Sequence, residues 1–144
     1  MHKRYIDIKN PQNRGYEFEQ KIFKSFTNLG YKLLYEDELR KKYGWIASSI
    51  DFILELEAGI IIIQTKWSNT QRRSTKDVDN FINSIKYINK LYEKPYLYGL
   101  WISRIKPFDD NITKMKEVKI DCICCYDSMD ELIEKSCNWI TKTI

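Results

Sequence analysis

Hydrophobic and polar positions along this chain switch between a period of two and a period near 3.6, and the switches mark its elements. The clearest strand-forming stretch is Ile50-Asp51-Phe52-Ile53-Leu54-Glu55-Leu56, followed by Glu57-Ala58-Gly59 and then Ile60-Ile61-Ile62-Ile63-Gln64-Thr65-Lys66-Trp67. Two aliphatic runs around a short turn containing Gly predict a β-hairpin. Four consecutive isoleucines leave no face for water, so the second strand is expected in the middle of a sheet, buried on both sides. Centring the turn between Glu57 and Ala58 sets Leu56 opposite Gly59 and Asp51 opposite Gln64, with Lys66 the diagonal neighbour of Asp51 on the same face. Thr65 then points to the other face, leaving its backbone carbonyl beside these groups. A slip of one residue would separate Asp51 from Gln64, so everything at this strand end depends on that register.

Upstream, a helix is predicted from Gly15-Tyr16 to about Asn28, with Phe18, Ile22, Phe23, Phe26 and Leu29 as its apolar stripe. Glu19 falls inside that stripe. An unpaired carboxylate there costs several kcal/mol or becomes protonated, so either a cation faces it or it sits at the stripe margin and reaches solvent. Gly30 ends the helix, and Tyr31 to Tyr35 reads as a strand. The charged connection from Glu36 to Trp45 suits a loop or a short helix at the mouth of a site, and its charges by themselves indicate only a solvated surface.

Downstream, Ser68 to Lys76 is polar and basic, and Ser74 with Asp77 resembles a capping box for a helix whose Val78, Phe81, Ile82, Ile85, Ile88, Leu91 and Tyr92 keep helical spacing. A strand from Tyr96 to Ser103, a short helix around Asp110 to Val118 and a strand from Ile120 to Tyr126 follow. Ser128 and Glu131 then cap a final helix with Met129, Leu132, Ile133, Cys137 and Ile140 facing the core. This order predicts an α/β sandwich around a mixed sheet, antiparallel at the hairpin and parallel where helices join strands.

Length, charge and cysteine usage narrow the setting. The 144 residues suit one domain, 1–144, with residues 1–14 as an N-terminal extension. The 24 Lys and Arg against 20 Asp and Glu, a net charge of +4, are compatible with a polyanionic partner without establishing one. No apolar stretch is long enough to span a membrane, and Met1-His2-Lys3-Arg4 leads into no secretory core. An intracellular protein, cytoplasmic or associated with the nucleoid or nucleus, is expected. Cys122 and Cys125 have a C-x-x-C spacing but lie on a predicted strand, where residues three apart face opposite ways; with His2 the single histidine, buried free thiols are expected rather than a four-ligand zinc site.

The convergence of Asp51, Gln64 and Lys66 has two explanations: an incidental strand-end ion pair, or a site that needs a carboxylate, an amide oxygen and an ammonium together. In the same way, Arg72, Arg73 and Lys76 near a helix N-terminus either solubilise a loop or hold a phosphate.

The pattern Gly15-x-x-x-Glu19 on the first helix, Ile50-Asp51 on one strand and Gln64-Thr65-Lys66 on the next resembles the PD-(D/E)XK nuclease superfamily, in the branch of Mrr-like restriction endonucleases and archaeal Holliday junction resolvases. The likeness runs from Gly15 to about Leu91, and more loosely beyond. Ile50 replaces the eponymous proline, a change frequent in these nucleases, and Gln64 replaces an acidic residue, as often in Mrr-like members. The resemblance implies a restriction-endonuclease-like α/β/α sandwich with a central mixed sheet, and Mg²⁺-dependent hydrolysis of DNA phosphodiesters, Mn²⁺ substituting, to leave 5′-phosphate and 3′-hydroxyl ends. It implies Asp51, Gln64, Thr65 and Glu19 as metal-site residues, Lys66 at the attacking water, and Arg72, Arg73 and Lys76 on DNA. Its two alternatives are a catalytically silent nucleic-acid-binding module and a junction resolvase working as a homodimer.

Overall fold

The hairpin forms in the expected register. The computed structural model describes residues 14–68 and 75–144, and in it β2 (Phe52–Glu55) pairs antiparallel with β3 (Ile60–Lys66) from Phe52 opposite Ile63 to Glu55 opposite Ile60. The Leu56 amide donates to the Gly59 carbonyl at 2.8 Å, closing the turn at its predicted centre. Around this pair the chain runs through α1 (Arg14–Asn28), β1 (Lys32–Tyr35), α2 (Glu36–Tyr43) and a 3-10 helix (Gly44–Ser49) before β2. After β3 come α3 (Thr75–Leu91), β4 (Tyr96–Ser103), α4 (Asp109–Glu117), β5 (Ile120–Cys124) and α5 (Met129–Thr143).

The five strands lie in sequence order, so β3 is the central one. β1 and β2 are antiparallel to their successors, whereas β3–β4 and β4–β5 are parallel because α3 and α4 carry the chain back across the sheet. Strand alternation then builds two cores. Ile53, Ile60 and Ile62 pack with Val78, Phe81, Ile85 and Ile88 of α3, Met115 of α4, and Leu39 and Ala47 from the segment before β2. Phe52, Leu54, Ile61 and Ile63 pack on the other face with Phe18, Ile22 and Phe26 of α1 and Leu132 and Ile140 of α5. Every residue of β3 from Ile60 to Thr65 is buried.

Several expectations are corrected at the margins of these cores. Leu29 lies beyond the end of α1 and is 48% exposed, because the apolar stripe outlasts that helix, and Leu91, the last residue of α3, is also exposed. β5 stops at Cys124, two residues early. The four cysteines are free but half-buried rather than buried, and Cys122 and Cys125 pack against opposite cores. The Ser128 cap forms, its hydroxyl accepting from the Glu131 amide at 3.1 Å. Among the described residues no helix is long and apolar enough to cross a membrane.

Gly59 is required by a close approach. A Cβ there would lie 2.4 Å from the Pro95 carbonyl oxygen and 2.7 Å from Leu97 Cγ. That oxygen cannot withdraw, since it accepts from the Ile60 amide at 2.9 Å and starts the β3–β4 pairing. Gly59→Ala is therefore expected to destabilise the fold by about 1–3 kcal/mol. Gly15→Ala meets only the Trp67 carbonyl at 3.8 Å and should be neutral or stabilising by up to about 1 kcal/mol. Urea-unfolding midpoints of the two variants check the contrast.

Candidate functional site

The end of β1, the start of β2 and the end of β3 meet at one edge of the sheet, and the chain reaches that edge through the 3-10 helix. The Ile50 amide is held by the Ala47 carbonyl at 3.0 Å, so the backbone arrives at an angle and bends at Asp51. The Asp51 amide donates to the Ile63 carbonyl at 3.0 Å, which takes Asp51 out of the regular ladder that begins at Phe52. The expected direct pairing of Asp51 with Gln64 is thereby replaced. Asp51 Oδ2 instead accepts from the Thr65 amide at 2.8 Å and from the Thr65 hydroxyl at 2.7 Å. The sequence pattern assigns Thr65 only a carbonyl role. In the fold it holds the carboxylate with two donors, because a carboxylate that is only 8% exposed must find hydrogen bonds inside the protein. The N–H and C=O of an extended residue point to the same side of its strand, so the Thr65 carbonyl also opens toward Asp51.

Two further carboxylates join it. Oxygens of Glu19, Glu36 and Asp51 all lie within 4.8 Å of one another. Glu19 is half-buried on α1, next to the buried Phe18 and one turn before Ile22, so the packing of that helix aims it at the sheet edge. Glu36 opens α2 immediately after β1. The β1–β2 register, from Lys32 opposite Glu55 to Tyr35 opposite Phe52, sets Glu36 opposite Asp51 when continued by one step. Beneath them Gln20 Nε2 donates to the Tyr35 hydroxyl, whose proton is held more tightly than usual by burial and then by the nearby Glu19 charge.

Lys66 and Gln64 point the other way. Lys66 Nζ lies 3.2 Å from Asp77 Oδ2 in the first turn of α3, and this pair, not an Asp51–Lys66 bridge, is the contact that the strand end makes. Lys66 remains within electrostatic reach of Asp51. Gln64, on the same face as Ile60 and Ile62, is buried toward α3, and its Oε1 has no hydrogen-bond partner among the described residues. Its neighbour across the parallel β3–β4 pairing is Trp101, whose Nε1 likewise has no partner among the described residues. Lys76 is exposed at the start of α3, whereas Arg72, Arg73 and Ser74, expected to cap that helix, lie outside the described residues.

Sequence reasoning missed Glu36, reading it as part of a solvated charge run. The signal that finds it is the β1–β2 register, and the long connection between these strands hides that register from the sequence. The cost of the cluster shows in Asp51. Burial is the main reason that its pKa is pushed up to about 6, with Glu36 adding to the rise; the Thr65 amide and hydroxyl, and more weakly Lys66, pull it back.

Comparisons with known protein families, with curated proteins and with solved structures return no match for this chain. The class that the fold defines is an α/β protein with a five-stranded mixed sheet and helices on both faces. Its distinguishing mark is an all-oxygen acidic cluster at the edge where β3 ends.

The Asp51 shift gives a pH dependence whose sign is fixed. Below about pH 4 the carboxyl is protonated in both folded and unfolded chains and costs nothing. Between about 4 and 6 the unfolded chain ionises first, so the metal-free protein loses stability as pH rises, by up to about 3 kcal/mol once the folded-state pKa is passed. Asp51→Asn, which can still accept from Thr65, should flatten this slope and be more stable than the parent above pH 6. Urea midpoints from pH 4 to 7.5 in EDTA measure both.

Proposed function

We propose that the protein is a divalent-metal-dependent nuclease of the PD-(D/E)XK type that hydrolyses DNA phosphodiester bonds. The observation that carries this reading is the convergence of Glu19, Glu36 and Asp51 within 4.8 Å at the end of a buried hairpin. Three like charges so close, one of them buried, repel one another unless a cation joins them. Carboxylate oxygens suit a hard dication such as Mg²⁺, with Mn²⁺ as a substitute. Glu19, Glu36 and Asp51 would hold it, with the Thr65 carbonyl as a further oxygen, whereas the Gln64 amide that the sequence pattern also nominates faces α3. A bound dication supplies positive charge against a phosphate oxygen and acidifies a water. Lys66 would orient the attacking water and offset phosphate charge, and Asp77 keeps its ammonium over the end of β3. The order of helix, hairpin, helix and parallel strands suits the restriction-endonuclease-like sandwich. Lys76, with Arg72 and Arg73, supplies cations for the DNA backbone.

A second reading, a silent nucleic-acid-binding module on the same fold, is favoured by one observation: Lys66 is engaged by Asp77 while Gln64 is turned toward α3. Cleavage separates the two. Purified protein is incubated with linear, nicked, flapped and four-way-junction DNA in Mg²⁺, Mn²⁺ or EDTA. Metal-dependent cutting is expected, lost on Asp51→Asn and Glu36→Gln through weaker metal binding. Lys66→Ala should lower the rate by about 100-fold or more while DNA binding persists. A parent that cuts no form in either metal, and is not awakened by Gln64→Glu, is the binding module.

Replacing Arg72, Arg73 and Lys76 together by Ala should weaken binding to all DNA sequences alike. The slope of log affinity against log salt should fall by about 1 for each phosphate that is no longer neutralised. Titrations at several salt concentrations give both quantities, and an unchanged slope would return this loop to a solubilising role.

A further inference from the structure

Beyond the acidic cluster, the same sheet edge carries a second construction that the proposed chemistry does not use. The parallel strands β3, β4 and β5 end together here, with Lys66 beside Ser103 and Ser103 beside Cys124. Just past these ends, Trp67, Arg104 and Tyr126 form a stack, the Arg104 guanidinium lying 4.9 Å from the Trp67 ring centre and 4.4 Å from that of Tyr126. Backbone contacts fix it: the Arg104 amide donates to the Lys66 carbonyl at 2.9 Å, and Arg104 Nε donates to the Tyr126 carbonyl at 3.0 Å. Trp67 in turn rests on Phe18 of α1, with ring centres 5.4 Å apart. The inner end of the stack is thus anchored to the helix that carries Glu19. At the outer end Tyr126 is 46% exposed and belongs to neither core.

A guanidinium layered between two aromatic rings is flat and positively charged, and its matching ligand is flat and carried on a negative chain. A nucleobase on a polynucleotide strand has both properties. Stacking on an aromatic side chain is indifferent to base identity, but it needs a base that has left its own stack. Adjacent strands lie about 4.8 Å apart, so the ends of β3 and β5 are about 10 Å apart along the edge. That is a span which a short run of one unpaired strand covers.

We propose that Trp67, Arg104 and Tyr126 form a stacking site for an unpaired base a few nucleotides from the phosphate held at the acidic cluster. On the nuclease reading, from which this inference follows, the substrate is single-stranded, flapped or branched DNA rather than perfect duplex. Tyr126 is the outer platform and Arg104 its charged support.

The test measures binding by the full chain in EDTA, where nothing is cut, using labelled oligothymidylate, a flapped duplex and a blunt duplex at one salt concentration. Single-stranded and flapped DNA should bind at least about 10-fold more tightly than the blunt duplex. Tyr126→Ala should remove about 10-fold of affinity for the first two and leave the duplex within about twofold, while Tyr126→Phe keeps the preference. Equal affinity of the parent for all three forms overturns the proposal. So does a Tyr126→Ala variant that folds but weakens every form equally or none, because the stack is then only a fastening of strand ends. Cleavage by the same preparations in Mg²⁺ distinguishes the two failures. A protein that keeps the Tyr126-dependent preference but cuts nothing loses the nuclease reading alone, and one that cuts duplex DNA with no Tyr126 dependence loses the stacking site alone.

Discussion

The Asp51 carboxylate is drawn across the end of the hairpin by the amide and hydroxyl of Thr65, at 2.8 and 2.7 Å, and the rest of this edge is arranged around that contact. Without those donors a carboxylate so nearly sealed from water would be protonated or expelled. With them it stays in place, at a cost still visible in its raised pKa. The bend that brings it there is set by the 3-10 helix. The two donors come from a strand that cannot move, because β3 is buried on both faces by two separate cores.

That rigidity explains how three carboxylates can be kept together. Glu19 is fixed by the packing of Phe18 and Ile22, Glu36 by the pairing of β1 with β2, and Asp51 by Thr65, so each is held by a different part of the fold. Packing and strand pairing therefore set the backbone positions from which the three carboxylates reach one place. Stability is given up locally and recovered in the isoleucine core, a common arrangement where binding or chemistry needs a group in an unfavourable state.

The edge as a whole is polarised. Acidic groups gather where β1 ends and β2 begins, while Lys66, Arg104 and the aromatic stack occupy the side where β3, β4 and β5 end. Parallel strands delivered by crossover helices place their carboxyl ends together, and ligands of α/β proteins are generally met at such ends. Asp77 in the first turn of α3 joins the two regions by holding Lys66 between them.

Short-range features were decided by the sequence alone. The hairpin register followed from a turn with one good centre, the depth of β3 from four isoleucines, and the start of α5 from Ser128 and Glu131. Each depends on neighbours a few residues apart or on a period that repeats along one element. The tertiary structure alone decided that Glu36 completes the acidic cluster, that Asp51 leaves Gln64 for Thr65, and that Lys66 pairs with Asp77. Those contacts depend on a strand register set across a long connection, on the angle at which a 3-10 helix enters a strand, and on where the next helix begins. Such quantities are fixed by packing against distant residues, and no local pattern in the chain encodes them.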